Sequence, residues 1–126
     1  MTFALWMVLV AGLLPYVTVA FAKAGGSYDN ARPRQWTEGL QGRQQRLEWA
    51  HRNHLEAFPF FAAAVLVSHL AVAPGAVADT LAGAFIVLRV AYTWAYAADR
   101  PGLRSVLWFG ALACVIGLFI ASGLGG

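Results

Sequence analysis

Charge is what this sequence has least of: nine Lys and Arg and six Asp and Glu among 126 residues, 12% in all. A soluble domain carries about 25% charged residues. Here 60% of positions are apolar, and a chain this short has too much surface to hide that excess in a soluble core. Cysteine is almost absent as well. The single Cys114 excludes an intrachain disulfide framework. The net charge of +3 comes from few residues rather than a basic face, which argues against a nucleic-acid module. The apolar content likewise argues against disorder. The length allows one domain, residues 1–126.

What is present is apolar and arranged in blocks. Phe3 to Ala22 contains no charge, long enough to cross a hydrocarbon core of about 30 Å. Ala57 to Ala78 is a second uncharged run, and Thr80 to Ala98 a third that is interrupted only by Arg89. Ser105 to Gly126 is the fourth. Tight turns at Ala73-Pro74-Gly75-Ala76 and Asp99-Arg100-Pro101-Gly102 separate the later runs. Pro and Gly there stop one helix and permit a reversal. Short connections imply antiparallel neighbours, so the pattern predicts an all-α, integral membrane four-helix bundle, about 2–23, 43–73, 77–98 and 102–124. The second helix begins near Arg43, before the membrane does, because Pro is absent from there to Pro59. Ala20-Phe21-Ala22 resembles a signal-peptide cleavage site, but no Lys or Arg precedes the run and its apolar stretch exceeds the usual length of about 7–15 residues. A retained span is the expectation.

Orientation follows from the loops. Lys23, Arg32, Arg34, Arg43, Arg46 and Arg52 lie between the first two spans, and Arg100 and Arg104 follow the third. The turn after the second span has no basic residue. The positive-inside rule therefore puts the first and third loops in the cytoplasm and both termini outside. The first loop, Lys23 to about Gly42, carries Gly25, Gly26, Pro33, Gly39 and Gly42 and reads as irregular.

Ionisable groups inside spans are expensive and point to function. Arg46, Trp49, Asn53 and Glu56 share one face of the second helix, with Arg52 at its border. Arg89, Tyr92 and Tyr96 share a face of the third, and Arg104 and Ser105 open the fourth. Arg89 lies about 16 Å from the loop at Arg100 if the helix is straight, too deep to snorkel, so it should face protein or a water-filled cavity. All these groups fall at the cytoplasmic end. They predict a cationic, aromatic-lined pocket for a small anionic ligand. Bland accounts exist for several of them: an Arg52–Glu56 helix salt bridge, interfacial anchoring by Arg100 and Arg104, and an aromatic belt of Trp36, Trp49, Trp94 and Trp108. Arg89 resists such an account best. His51 and His54 lack the spacing and third ligand of a metal site, and none is expected. Cys114 reads as packing. Ala113, Gly117 and Ala121 form a small-residue series suited to close helix approach.

The run Ala50-His51-Arg52-Asn53-His54-Leu55-Glu56 followed by Pro59-Phe60, with Arg89-x-x-Tyr92-x-x-x-Tyr96 and Arg104-Ser105, resembles the MAPEG family of membrane-associated proteins of eicosanoid and glutathione metabolism. Tyr28-Asp29-Asn30 with Pro33-Arg34 resembles its short bacterial branch, which implies a bacterial inner membrane. The resemblance spans essentially the whole chain. It implies a homotrimer of left-handed four-helix bundles that binds glutathione, as co-substrate, between protomers near the cytoplasmic face. It also implies that Arg52, Asn53, Glu56, Arg89, Tyr92 and Tyr96 bind the tripeptide, and that Arg104, with Ser105 beside it, activates its thiol. Trp49 and Trp108 depart from residues found in several members. The leading expectation is a glutathione-dependent enzyme that conjugates or reduces lipophilic electrophiles or peroxides, transferase- or peroxidase-like, with its lipophilic substrate arriving from the lipid. The alternative is a non-catalytic protein that binds an anionic metabolite or lipid head group in the same pocket. A small four-span transporter is disfavoured, because the first span lacks a carboxylate.

Overall fold

A computed structural model describes residues 1–24 and 28–126. Gly25 and Gly26, assigned above to an irregular loop, lie outside the described residues. Among these described residues five helices follow one another: α1 (Phe3–Ala24), α2 (Pro33–Glu38), α3 (Gly42–Ala71), α4 (Ala76–Ala97) and α5 (Pro101–Gly123). No strand occurs among the described residues. The four long helices match the expected spans to within two residues at either end. Each is long and apolar enough to cross a membrane, and leaving so many large apolar side chains on the outer surface, Leu13, Leu66, Val87 and Ile120 among them, is tolerable only in lipid.

The first loop departs from the expectation of irregularity. Pro33 pre-sets the backbone at the first turn of α2, where its missing N–H costs nothing. The Asp29 carboxylate accepts the Ala31 N–H at 3.0 Å, an Asx turn that leads into it. The Trp36 indole then meets Tyr28 edge to face, 5.0 Å between centroids.

Helix association in a membrane depends on close packing, so the contact seams carry small residues. On α1 the buried positions are Ala4, Ala11, Pro15, Thr18 and Ala22. On α4 they are Ala78, Ala82, Phe85, Arg89, Tyr92 and Ala95, spaced three and four apart in the manner of a coiled-coil seam. The Phe61 ring of α3 stacks on the Phe85 ring of α4 at 4.0 Å between centroids. At Gly83 any Cβ would come within 3.0 Å of the Phe3 ring, so glycine lets α1 approach α4. Helices α3 and α4 form the middle of the bundle, with α1 on one side of the pair and α5 on the other. The small-residue series expected on the last helix is only partly used. Gly117 faces Leu81, but Ala113 is exposed, and the buried stripe runs instead through Ala111, Cys114, Val115, Leu118 and Ser122.

Both ends of the bundle are locked by backbone-directed bonds. At the α4–α5 turn the Arg100 N–H donates to the Ala95 carbonyl at 2.9 Å and the Asp99 N–H to Tyr96 at 3.2 Å. Asp99 sits at φ 58°, the left-handed conformation that this Schellman closure requires. Arg46 Nη2 donates to the Ala97 carbonyl at 3.0 Å, which places a cation on the helix C-terminus. The turn thereby sets Arg104, one turn into α5, against Tyr96 in the last turn of α4. At the opposite end Asp79, in the first turn of α4, accepts the Ala4 N–H of α1 at 2.9 Å. One carboxylate thus serves two helix N-termini. Asp79→Ala should lower stability by about 1 kcal/mol, read as an earlier midpoint of SDS-induced unfolding in detergent, whereas Asp29→Ala, which touches only the α2 lead-in, should leave that midpoint in place.

Candidate functional site

Arg89 is the largest of the fully buried side chains, 1% exposed, in a seam position where an aliphatic residue would be expected. An unpaired guanidinium there would cost several kcal/mol. Its neighbours on α3 supply neutral acceptors instead of a carboxylate. Arg89 Nη2 donates to Asn53 Oδ1 at 2.8 Å and to His54 Nδ1 at 2.9 Å, and Nε lies 3.3 Å from the same imidazole nitrogen. The Thr93 hydroxyl gives its proton to the Arg89 carbonyl at 2.9 Å, so its oxygen accepts from His54 Nε2 at 2.7 Å. That order fixes His54 as the Nε2–H tautomer with Nδ1 free to accept from the guanidinium. The Tyr92 ring closes the last side, 4.3 Å from the guanidinium carbon. Arg89 therefore keeps its full positive charge with no anion against it among the described residues.

The aromatic face continues toward the α4–α5 turn. Tyr92 and Tyr96 meet edge to face at 5.6 Å, and the Arg104 guanidinium lies 4.5 Å over the Tyr96 ring. Trp49 approaches Tyr96 from α3 at 6.3 Å. Two recesses open between α3, α4 and α5. One, about 240 Å³, is polar and is lined by Asn53, Tyr92, Tyr96, Arg104, Ser105 and Trp108. The other, about 170 Å³, runs deeper along apolar Phe60, Phe85 and Val115, with Glu56 and Arg89 on its wall. Asn53 and Trp108 belong to both. A cationic, hydroxyl-rich compartment thus adjoins a hydrocarbon one, an arrangement suited to bringing a polar anion against an apolar molecule.

Of the residues singled out from the sequence, Asn53, Glu56, Arg89, Tyr92, Tyr96, Arg104 and Ser105 come together here. Arg52 does not line either recess. Its side chain is 60% exposed, and Nε pairs with Glu48 at 3.1 Å rather than with Glu56. The Arg52–Glu56 bridge offered as a bland alternative does not form: Glu48, one turn toward the N-terminus, is the carboxylate that Arg52 meets. Arg46 serves the turn, as described above. Trp108, grouped with the aromatic belt from sequence, is part of the site. The two histidines of the signature also have separate duties, since His51 Nδ1 donates to the Pro15 carbonyl at 2.7 Å, linking α3 to α1. What sequence reasoning missed is the support of Arg89 by His54 and Thr93. The signal was available: His54 falls in register with Leu47, Ala50, Phe61 and Ser68 on the buried seam of α3.

Four apolar spans around a partly charged interhelical recess define an integral, multi-pass α-helical membrane protein. More narrowly, the chain belongs to the MAPEG family, whose family model matches residues 3–124. That family includes glutathione-related membrane enzymes. No curated protein matches the sequence significantly.

The Arg89 arrangement makes its members energetically interdependent. His54→Leu should cost about 1.5–3 kcal/mol, because a charged donor loses its acceptor, whereas adding Arg89→Met should recover much of that loss by removing the stranded charge. A double-mutant cycle on unfolding midpoints measures this coupling, and simple additivity of the two losses would contradict it.

Proposed function

We propose that this protein is a glutathione-dependent membrane enzyme that conjugates or reduces lipophilic electrophiles or peroxides. The observation that carries the reading is the contact of the Arg104–Ser105 recess with the apolar recess across Asn53 and Trp108. Glutathione has two carboxylates and one ammonium, and the residues present fit it. Among the described residues Arg89 and Arg104 form no ion pair with a carboxylate, and Glu56 forms none with a cation. When bound, glutathione supplies the nucleophilic thiol.

In this reading Arg89, held by His54, offers fixed positive charge to a carboxylate. Asn53 beside Arg89, and Tyr92 and Tyr96 between Arg89 and Arg104, provide hydrogen-bonding groups, and Glu56 faces the ammonium. Arg104, at the polar end, stabilises the thiolate with Ser105 as a neighbouring donor. A free thiol titrates near about 8.5. Bringing it to about 6.5 takes about 2.7 kcal/mol of preferential stabilisation of the anion, within reach of one guanidinium in a partly desolvated site. Phe60, Phe85, Leu112 and Val115 exclude water and accept the lipophilic partner from the bilayer.

The exposed face of α3 extends the proposal to assembly. Trp49, Arg52, Glu56 and Phe60 lie along it without a covering element, which supports a homotrimer in which an adjoining copy completes the site and brings Arg52 to its rim. The loop charges support placing this end in the cytoplasm, with both termini outside, and the likeness to the short bacterial branch favours an inner membrane. The 126 residues form a single four-helix domain in this reading. The alternative, saturable binding of an anionic metabolite or head group without turnover, is favoured by the small volume of the apolar recess, about 170 Å³, and by the bulk of Trp108.

Thiolate absorbance of glutathione in the detergent-purified protein separates these readings. The parent protein should show bound thiolate at neutral pH, with a half-point near about 6.5 and turnover against a generic aryl electrophile. Arg104→Ala should move the half-point toward about 8.5 and reduce turnover at pH 7 by about 25-fold, the ratio of the thiolate fractions at the two half-points. Glutathione binding with neither thiolate nor turnover would favour the alternative.

A further inference from the structure

On the side of the bundle away from that site, α1, α3 and α4 enclose a separate groove. A section of about 300 Å³ is walled by Leu14, Val17 and Phe21 of α1 and by Leu47, Val90 and Trp94 on the facing helices. It continues into a second section of about 350 Å³ bounded by Arg43, Trp94, Ala97 and Ala98. Arg43, Trp94 and Ala97 line both, so the two form one channel from mid-span to the end of α4. Its polarity changes along its length. The inner part is mainly apolar, its two threonines Thr18 and Thr93 each donating their hydroxyl proton to their own helix backbone, and several of its walls are open to the outside, with Val17, Phe21, Val90 and Trp94 all more than half exposed. The end of the channel carries cations. Arg43 is exposed and forms no ion pair among the described residues, and the Arg100 guanidinium lies 5.5 Å from the ring of Trp94, which lines both sections. No carboxylate lines either section.

We propose that this groove binds one phospholipid with an anionic head group, its phosphate between Arg43 and Arg100 and one acyl chain along Leu14, Val17, Phe21 and Val90. The choice of occupant rests on charge complementarity. Two guanidinium groups without ion-pair partners among the described residues, Arg43 lining the mouth and Arg100 against its Trp94, match a phosphodiester on a hydrocarbon chain. They do not match a second copy of the same surface, which would bring Arg43 and Arg100 against like charges. The indole of Trp94 sits at the level where amphipathic rings gather at a membrane interface. The groove shares no lining residue with the polar and apolar recesses on the other side of the bundle, so the proposal stands independently of the catalytic reading.

Native mass spectrometry of the full chain, released from detergent after equilibration with phosphatidylglycerol or with phosphatidylcholine of the same acyl length, tests it. The expected result is one phosphatidylglycerol retained per chain, at least 10-fold in preference to phosphatidylcholine. Arg43→Gln should abolish the preference, and Val90→Trp, a lipid-facing change that fills the channel, should abolish retention of both lipids. Circular dichroism of each variant checks that the helices persist, and Val87→Trp, on the same helix outside the groove, controls for added bulk. Equal retention of the two lipids, or a preference unaltered in Arg43→Gln and Val90→Trp, would overturn the proposal. So would efficient disulfide formation between Val90→Cys chains in bilayers, which would make the groove a contact between copies.

Discussion

A guanidinium held within a bundle of apolar helices, without an anion to neutralise it, is the constraint on which the rest of this structure turns. Arg89 occupies a seam position between α3 and α4, where burial of its charge is tolerated because Asn53 and His54 present lone pairs and Tyr92 presents a π face. Neutral acceptors satisfy the hydrogen-bonding demand of the group but leave its charge intact. A carboxylate in place of His54 would have consumed that charge. The positive potential is instead available to the recess that Arg89 lines, and in a low dielectric it acts more strongly than it would in water.

Holding the group in this way constrains the surrounding helices. His54 can accept from Arg89 only while Thr93 accepts from its other nitrogen, and Thr93 can do so only while its proton goes to the Arg89 carbonyl. The network therefore fixes the rotation and the depth of α3 against α4. The turn at Asp99 then carries that register into α5, so that Arg104 meets Tyr96. Asp79 does the corresponding work at the other end for α1. Small residues in the seams make these polar contacts possible by letting the backbones approach.

The bundle consequently presents two unlike faces near its arginine-rich end. Between α3, α4 and α5, cations sit beside hydroxyls, an amide and a carboxylate. Between α1, α3 and α4, cations occur only at the mouth of a hydrocarbon groove, as an amphiphile demands. The same two residue types, Arg and aromatic, serve both; what differs is how far each arginine lies from the apolar wall and what other polar groups accompany it.

Much of the architecture was legible in the sequence because a lipid environment enforces a simple rule: every backbone polar group must be satisfied within a helix, so uncharged runs between Pro- and Gly-bearing turns mark the spans directly. The depth of Arg89, and its company with Tyr92, Tyr96, Asn53 and Arg104, followed from helical spacing and antiparallel order alone. Side-chain partnership did not. Nothing in the spacing distinguishes Glu48 from Glu56 as the carboxylate for Arg52, since each is four residues away, and only the rotation of α3 in the bundle decides it. Nor does a run containing two histidines reveal that one meets α1 and the other α4. Linear order determined which groups share a level of the membrane, because rise per residue is constant; tertiary packing decided which of them touch, because contact depends on how each helix is turned about its own axis.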